Sequence, residues 1–560
     1  MYGLLQYTHS QIAGEFFFRQ GVQPHFWVMF DILSIWLIGY ILSCLGKRPI
    51  LCCTIAFTLC AIYCFVNITY SRFFANYFPI SMISESRNLH FDELCRYAIL
   101  SLKLTDVFFL LASIILAFAC HKTRKTIARQ SVYIAVSPLI IGTMFYLAGV
   151  FSLFKNPHIP TTRDWNGANF IPMEAQKMTS PILCDYKVGL VRGEILYGLK
   201  HLFISDKLSE EDISDIKEFI SAKRPYFAYN IDIPKHKQNV IFILCESYIS
   251  VTSDLVVDGK EITPFLNSLK KEPETFYNGN VTSNVNLGES ADGQMIYLTG
   301  LLPLKEELTT PYLKDCKIPS LARALKNRRY KTIMTIPTDK TIWGQEQTCK
   351  DYGIDSLFST DNLGIRDGRW LNDKEVLEYA FRNDERQSSP YFHIVLTCTN
   401  HSPYDKTKPE TVTCKCRPRE FPKSYTEEFC NYLLDCHFMD HQIAEYIANF
   451  KKRGTYNNTL IVIVSDHGVK EQYLNQAKSL YGNNALPFYI CNTGKRWDTK
   501  WGTCQMNQID IFPTLLDLLG INQEWRGIGN SIFNNEYEYI PIGDEEQTIS
   551  SKIVRGRYMK

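Results

Sequence analysis

The chain has 560 residues, and 60 Lys and Arg against 58 Asp and Glu leave a formal net charge of +2. That balance excludes a polybasic nucleic-acid binder and a protein built on an acidic tail. A hydrophobic fraction of 46% with 13% aromatic residues excludes global disorder, and the length suits two or more domains.

The apolar residues are unevenly spread, because the first 154 residues hold four long apolar stretches. They run from about Phe26 to Leu45, Ile50 to Val66, Val107 to Cys120 (reaching back toward Leu102) and Val132 to Phe154. Each approaches the roughly 20 residues needed to cross a bilayer, and Trp, Tyr and Phe gather at their ends as interfacial anchors do. Basic residues cluster in two of the turns, Lys47 and Arg48 in one, and Lys122, Arg124, Lys125 and Arg129 in the other. By the positive-inside rule both turns face the cytoplasm, which puts residues 71–97 and everything after Phe154 outside. Four spans also put residues 1–25 outside. Met1 opens into Tyr2-Gly3-Leu4-Leu5 with no basic leader, so no cleavable signal is expected and a further span upstream is conceivable.

Eighteen cysteines divide into seven in or near the apolar block and eleven beyond it. In the block a thiol serves as a small apolar residue. Outside, Cys414, Cys416, Cys430 and Cys436 lie close in sequence and are candidates for one or two disulfides; the C-x-C and C-x5-C spacings fit a zinc ribbon poorly. Residues 155–235 read as a linker, with Pro157, Pro160 and Pro172 early and a helix over about 207–223 entered at Ser209.

From Asn239 short apolar runs alternate with amphipathic segments. The runs are 240–244, 332–336, 392–396 and 460–464. None alternates with polar residues, so both faces are expected to be covered, as in a parallel sheet layered by helices. In such sheets functional groups gather just past the carboxyl ends of the strands. Glu246 follows the first run, His401 the third, and Asp466 and His467 the fourth. Carboxylate oxygen and imidazole nitrogen form a ligand set for a divalent metal such as zinc or manganese. Taken singly, Glu246 is equally a charge meeting a helix dipole, Asp466 an N-cap and His467 a structural histidine. Ser290, within 284–293 and just before a helical stretch at 291–301, supplies a hydroxyl at a helix start; it is either a plain N-cap or a nucleophile that an adjacent metal would activate.

In order along the chain, Asn239 to Ser247, Thr263-Pro264-Phe265-Leu266, Gly288-Glu289-Ser290-Ala291-Asp292, Thr399-Asn400-His401-Ser402-Pro403-Tyr404, Ser465-Asp466-His467-Gly468 and Gln508 to Leu516 resemble the lipoteichoic acid synthase and phosphoglycerol transferase group. These are membrane-anchored members of the alkaline phosphatase–sulfatase superfamily, related to lipid A phosphoethanolamine transferases. The resemblance implies a metal held by Glu246, Asp466 and His467, with Ser290 as fourth ligand and nucleophile, where the synthases usually have Thr. It implies that His401 contacts the phosphate or protonates the leaving oxygen, and that Trp343 and Gln345 line the headgroup site. Gln345 stands where the synthases carry Arg, and a glutamine cannot make a charged bidentate contact to phosphate. Sulfatases require Cys or Ser followed by x-Pro-x-Arg, and Ala291-Asp292-Gly293-Gln294 has neither Pro nor Arg, which argues against sulfate-ester chemistry.

The fold expected is therefore α/β: a transmembrane helix bundle at 1–154, a linker at 155–235, an extracytoplasmic sulfatase-like catalytic domain at 236–535 with a mostly parallel central sheet covered by helices, and a tail at 536–560. The activity implied is transfer of a phospho-headgroup, phosphoglycerol or phosphoethanolamine, from a phospholipid donor to an envelope glycan or lipid acceptor at the bacterial inner membrane. It would use a divalent metal, manganese or zinc, and a covalent Ser290 intermediate, with no nucleic-acid partner. Alternatives on the same residues are a metal-dependent phosphodiesterase or sulfatase-family hydrolase, and an inactive membrane scaffold.

Overall fold

The computed structural model describes residues 207–223 and 239–559, apart from 306–307, 366–368, 389, 403, 405, 470–483, 498–503 and 535–536, together with eight helical positions between 58 and 67. Apart from those eight, the apolar stretches at 26–154 lie outside the described residues. Among the described residues no helix is long and apolar enough to cross a membrane. The chain divides into two compact units, Met1–Ser205 with Lys305–Glu307, and Asp206–Leu304 with Leu308–Lys560; the elements from residue 210 onward belong to the second.

Helix α1 (Glu210–Ala222) opens with a capping box. Ser209 Oγ accepts from the Asp212 amide at 3.1 Å while the Asp212 carboxylate accepts from the Ser209 amide at 2.9 Å. Strand β1 (Asn239–Cys245) follows, then a two-residue hairpin of β2 (Val256–Val257) and β3 (Lys260–Glu261), helix α2 (Pro264–Leu269), β4 (Phe276–Thr282) and α3 (Ser290–Thr299). Next come α4 (Leu321–Lys326), β5 (Lys331–Thr335), α5 (Gln345–Tyr352), β6 (Ser356–Phe358), α6 (Asp373–Glu385) and β7 (Tyr391–Leu396). The chain ends with α7 (Glu427–Arg453), β8 (Thr459–Ser465), β9 (Leu486–Cys491), β10 (Met506–Asn507), α8 (Ile511–Leu518) and α9 (Asp544–Arg555).

Eight strands form one sheet in the order β10-β4-β9-β8-β1-β7-β5-β6. The pairs β8–β1, β1–β7, β7–β5 and β5–β6 are parallel, and β10 is parallel to β4; β9 is antiparallel to both its neighbours. The four apolar runs of the sequence are the four adjacent strands β8, β1, β7 and β5.

Strand β1 explains why those runs lack polar alternation. Val240, Phe242 and Leu244 feed one core with Met295 and Ile296 of α3, Leu515 of α8 and Ile553 of α9. Ile241, Ile243 and Cys245 feed a second core on the other face with Leu266 of α2, Leu377 of α6 and Leu433 of α7. Side chains alternate across a strand, so only a strand covered on both faces is apolar at every position. Each such side chain, Phe242 for example, contributes about 1.5–3 kcal/mol by burial.

Helix α1 docks on this domain. Lys223, at its C-terminal end, donates to the carbonyls of Ile528 and Gly529 and to Asn530 Oδ1, and Lys552 of α9 lies 2.8 Å from both Asp212 Oδ1 and Asp215 Oδ2. Helix α9 is itself tied in, with Ser550 Oγ accepting from the Leu302 amide at 2.9 Å. Cys414, Cys416, Cys430 and Cys436 are all free thiols, so the disulfides expected among them are not formed.

Candidate active site

Strands β1, β7 and β8 are parallel neighbours, so their carboxyl ends open on one edge of the sheet. The ladder runs one residue past the strands there: Thr397 N–H donates to Leu244 O and Asp466 N–H to Cys245 O, both at 3.0 Å. Glu246, Thr397 and Asp466 are thereby fixed side by side. Thr397 Oγ1 accepts from the Glu246 amide at 3.0 Å. Ser247 then turns the chain with φ of 48°. In that turn its amide donates to Asp466 Oδ1 at 2.9 Å and its hydroxyl to Glu246 Oε1 at 2.6 Å.

His467 is oriented by its own neighbours. Nδ1 donates to Gly468 O at 2.7 Å, which leaves Nε2 facing the site. That nitrogen lies 3.4 Å from Glu246 Oε1 and 3.7 Å from Asp466 Oδ2.

Ser290 arrives from the other direction. It is the first residue of α3; the flanking residue is Glu289, held at φ 40°, ψ −108°. The hydroxyl donates to Glu246 Oε2 at 3.2 Å and lies 3.2 Å from His467 Nε2. Three contacts bring α3 this close. Tyr297 donates to Ser465 O at 2.5 Å. Gly293 passes so near the strand end that a Cβ on it would sit 2.3 Å from Asp466 O. The Asp292 carboxylate gathers the preceding loop by accepting from the amides of Asn286 and Gly288 at 2.9 and 3.0 Å.

Glu246, Asp466 and His467 are buried, each offering one ligand atom within 4.8 Å of the others. Burial raises the Glu246 carboxyl, but the charges of His467 and His401 and the Ser247 hydroxyl outweigh it, so it stays below the usual range. Burial and the Glu246 charge push Asp466 up to about 7. Against burial, the two carboxylates raise His467 to about 9. Two buried carboxylates thus hold a proton on the imidazole because they need a positive charge among them. A divalent cation meets the same need, and two oxygens and one nitrogen are donors it accepts. The residues fit a metal.

His401 is half-exposed beside this group. Its Nδ1 donates to Ser402 O at 2.6 Å, and its ring stands edge-on to Trp370 with centroids 5.1 Å apart. The loop that carries it is pinned twice. Asp373, at the start of α6, accepts from the amides of Cys398 and Thr399 at 2.7 and 2.8 Å. Lys408 bonds the carbonyls of Thr399 and His401 and the Asp435 carboxylate of α7. Gln345 begins α5 and is buried, with no hydrogen-bond partner for its Oε1 among the described residues. Trp343 lies in the short turn Ile342–Gly344 before it, and its side chain is outside the described part of the structure.

The sulfatase family profile matches residues 238–521, just over half of the chain. The chain belongs to the sulfatase family. Its matched region begins at β1 and ends just after α8, so it takes in Glu246, Ser290, His401, Asp466 and His467. Over 508 residues the chain is 24% identical to lipoteichoic acid synthase 2 of Bacillus subtilis, covering 85% of this chain and 73% of that protein. Over 502 residues it is 23% identical to the lipoteichoic acid synthase of Staphylococcus aureus, covering 85% and 74%. Among solved structures, lipooligosaccharide phosphoethanolamine transferase A from Neisseria meningitidis matches with a TM-score of 0.56 at 13% identity, over 94% of this chain and 95% of that one. That likeness is one of fold.

Several supports of this sulfatase-family site are given no role by the sequence reading. Thr397, Asp292 and Asp373 hold amides of the site loops in place. Gln508 donates to Asp466 O at 2.7 Å while accepting from the Asn284 amide at 2.9 Å, so it links the strand end to the loop before Ser290. Gln508 begins the superfamily-like stretch 508–516, and that is its only signal in the sequence.

Proposed function

We propose that the chain is a membrane-bound, metal-dependent phosphotransferase that moves a phospho-headgroup from a phospholipid to an envelope glycan or lipid through a covalent bond to Ser290. The observation that carries this reading is the Ser290 hydroxyl, 3.2 Å from both Glu246 and His467 at the rim of a buried carboxylate–imidazole cluster. The curated relatives named lipoteichoic acid synthase support transfer over hydrolysis. The fold shared across 94% of the chain with an integral membrane protein supports the anchor read in residues 1–154.

In this reading Glu246, Asp466, His467 and Ser290 would hold manganese or zinc. When bound, the cation lowers the pKa of the serine hydroxyl and neutralises charge on the phosphoryl oxygens. Ser290 Oγ, its proton given up to solvent, forms a bond to phosphorus in line with the bond to the diacylglycerol oxygen, which breaks. His401 delivers a proton to that leaving oxygen. An acceptor hydroxyl then gives its proton to His401 and attacks phosphorus, and Ser290 is released. Gln345, uncharged where related synthases have arginine, is buried with an unpaired amide oxygen, and in this reading that oxygen would meet a headgroup that offers a donor.

The test is mass spectrometry of the Ser290 peptide after the protein meets mixed phosphatidylglycerol and phosphatidylethanolamine. A headgroup phosphate ester on Ser290 is expected, and the mass added names the donor. Ser290→Ala should carry no adduct and lose transfer by a factor on the order of 10⁴ or more. An adduct persisting in that variant removes Ser290 from its role, and phosphate products that form without an acceptor favour a hydrolase.

A further inference from the structure

A second cluster of metal-type ligands lies in the long connection from β7 to α7. Among the described residues of 397–426 the one helical element is the short 3₁₀ segment Thr411–Thr413, and a connection of that length inside a compact domain needs tethers. Lys408 ties its first part. Further along, Cys414 and Cys416 come up against His437 of α7. The two Sγ atoms are 2.7 Å apart, Cys416 Sγ is 3.3 Å from His437 Nε2, and one ligand atom from each residue lies within 4.8 Å of the other two.

The histidine is set as a metal-bound imidazole is set. Its Nδ1 donates to the carbonyl of Ile262 at 2.8 Å, so Nδ1 holds the proton and Nε2 turns its lone pair toward the sulfurs. His441 follows one helical turn later on the same side of α7. The set reads Cys414-x-Cys416 followed by His437-x3-His441, two thiols and two imidazoles; the histidine spacing is one zinc fingers use, while the cysteines stand closer in sequence than in those sites, so the site rests on the spatial meeting of Cys414, Cys416 and His437. A cavity of about 360 Å³ lined in part by Cys414, His441, Gln442 and Glu445 opens beside it and gives an ion a way in.

We propose that Cys414, Cys416 and His437 form a zinc site distinct from the Ser290 centre, with His441 or a water as fourth ligand, and that it staples the β7–α7 connection to α7. Binding converts two thiols to thiolates and releases two protons to solvent. Zinc at about 2.3 Å from each sulfur spreads them to roughly 3.7 Å. The extra separation, about 1 Å, is taken up by the exposed Cys416 side chain. The ion closes the loop upstream of α7 while His437 is anchored through Ile262 to the turn ahead of α2, so one cation joins three segments. This site shares no residue with the phosphotransferase reading and stands or falls apart from it.

The experiment uses the full chain in detergent, isolated anaerobically, with metal content measured and Co²⁺ exchanged for the native ion. The wild type should show a thiolate-to-cobalt charge-transfer band in the near ultraviolet, which the Ser290 centre, having no sulfur ligand, cannot give. Cys416→Ser should lose that band and one equivalent of metal; Asp466→Asn should keep the band. Absence of the band in the wild type overturns the site, and so does a Cys414–Cys416 disulfide in the isolated protein. If Cys416→Ser does not fold, the wild-type spectrum and peptide masses decide alone.

Discussion

Two residues beside the metal-type cluster sit in the left-handed region without being glycine. Ser247, at φ 48°, follows Glu246, and Glu289, at φ 40°, precedes Ser290. Each costs on the order of 1–3 kcal/mol and persists only where surroundings over-determine it. At Ser247 the amide and hydroxyl bonds to Asp466 and Glu246 do so. At Glu289 the sharp turn sets the Ser290 hydroxyl toward Glu246 and His467 rather than back over its own helix. Ser290 is only partly buried, and threonine keeps the hydroxyl while adding one methyl. Ser290→Thr is therefore expected to keep adduct formation within about tenfold of wild type, a loss of about 1.4 kcal/mol at most in the transition state. Single-turnover labelling checks this, and a loss as deep as that of the alanine variant would show that the hydroxyl position tolerates no change. Glu246, His401, Asp466 and His467 were legible because each follows an apolar run closely. Thr397 follows a run more closely than His401 and Gln508 opens a family-like stretch, yet their roles were not legible, since their partners lie 151 and 42 residues away and no local pattern marks a hydrogen bond of that reach.

Among the elements, α3 decides whether Ser290 and the carboxylate–imidazole cluster meet. Its approach to β8 depends on Gly293, where any side chain would run into the Asp466 carbonyl, a backbone atom that cannot swing aside. Gly293→Ala is expected to destabilise the domain by about 1–3 kcal/mol through overpacking. It should also cut activity more than stability, because the shift falls between Ser290 and Asp466. Thermal unfolding alongside labelling of Ser290 checks this; a variant that is destabilised yet labels at the wild-type rate would show that α3 moves without opening the site. The strands β8, β1, β7 and β5 were legible because both faces are buried and nearly every position is apolar. Strand β4 was not, since Asn278, Gly279 and Asn280 interrupt it, and β6 and β10 are too short to form a pattern. The helix of 207–223 was legible from its cap, because capping is a contact between residues three apart.

At the scale of the whole domain, Lys552 of α9 holds α1 through Asp212 and Asp215, and the half-buried Lys223 joins α1 to the 528–530 turn. Burial pulls its pKa down to about 8, against a nearby Asp510 charge that raises it. The unfolded chain holds that proton up to about 10.4. Keeping the charge inside therefore costs stability below about 8, and the cost is relieved as pH rises from about 8 toward 10.4. Lys223→Met should be less stable than wild type, since three acceptors lose their donor, and the gap should widen between pH 7.5 and 9.5. Melting temperatures of both proteins at the two pH values test it; a constant gap would place the Lys223 pKa outside that window.

The apolar runs and the polar residues that end them could be read from the order of residues alone. They depend on which side chains are apolar and on neighbours a few positions apart. The order of the strands, the antiparallel entry of β9 and the meeting of Glu246 with Ser290, Asp466 and His467 emerged in the folded molecule. So did the turn of Cys414 and Cys416 toward a histidine instead of toward Cys430 or Cys436. Ser290 and His467 are separated by 177 residues. Contacts across such distances come from which faces of strands and helices must be buried together, a property of the packed chain and of no segment within it.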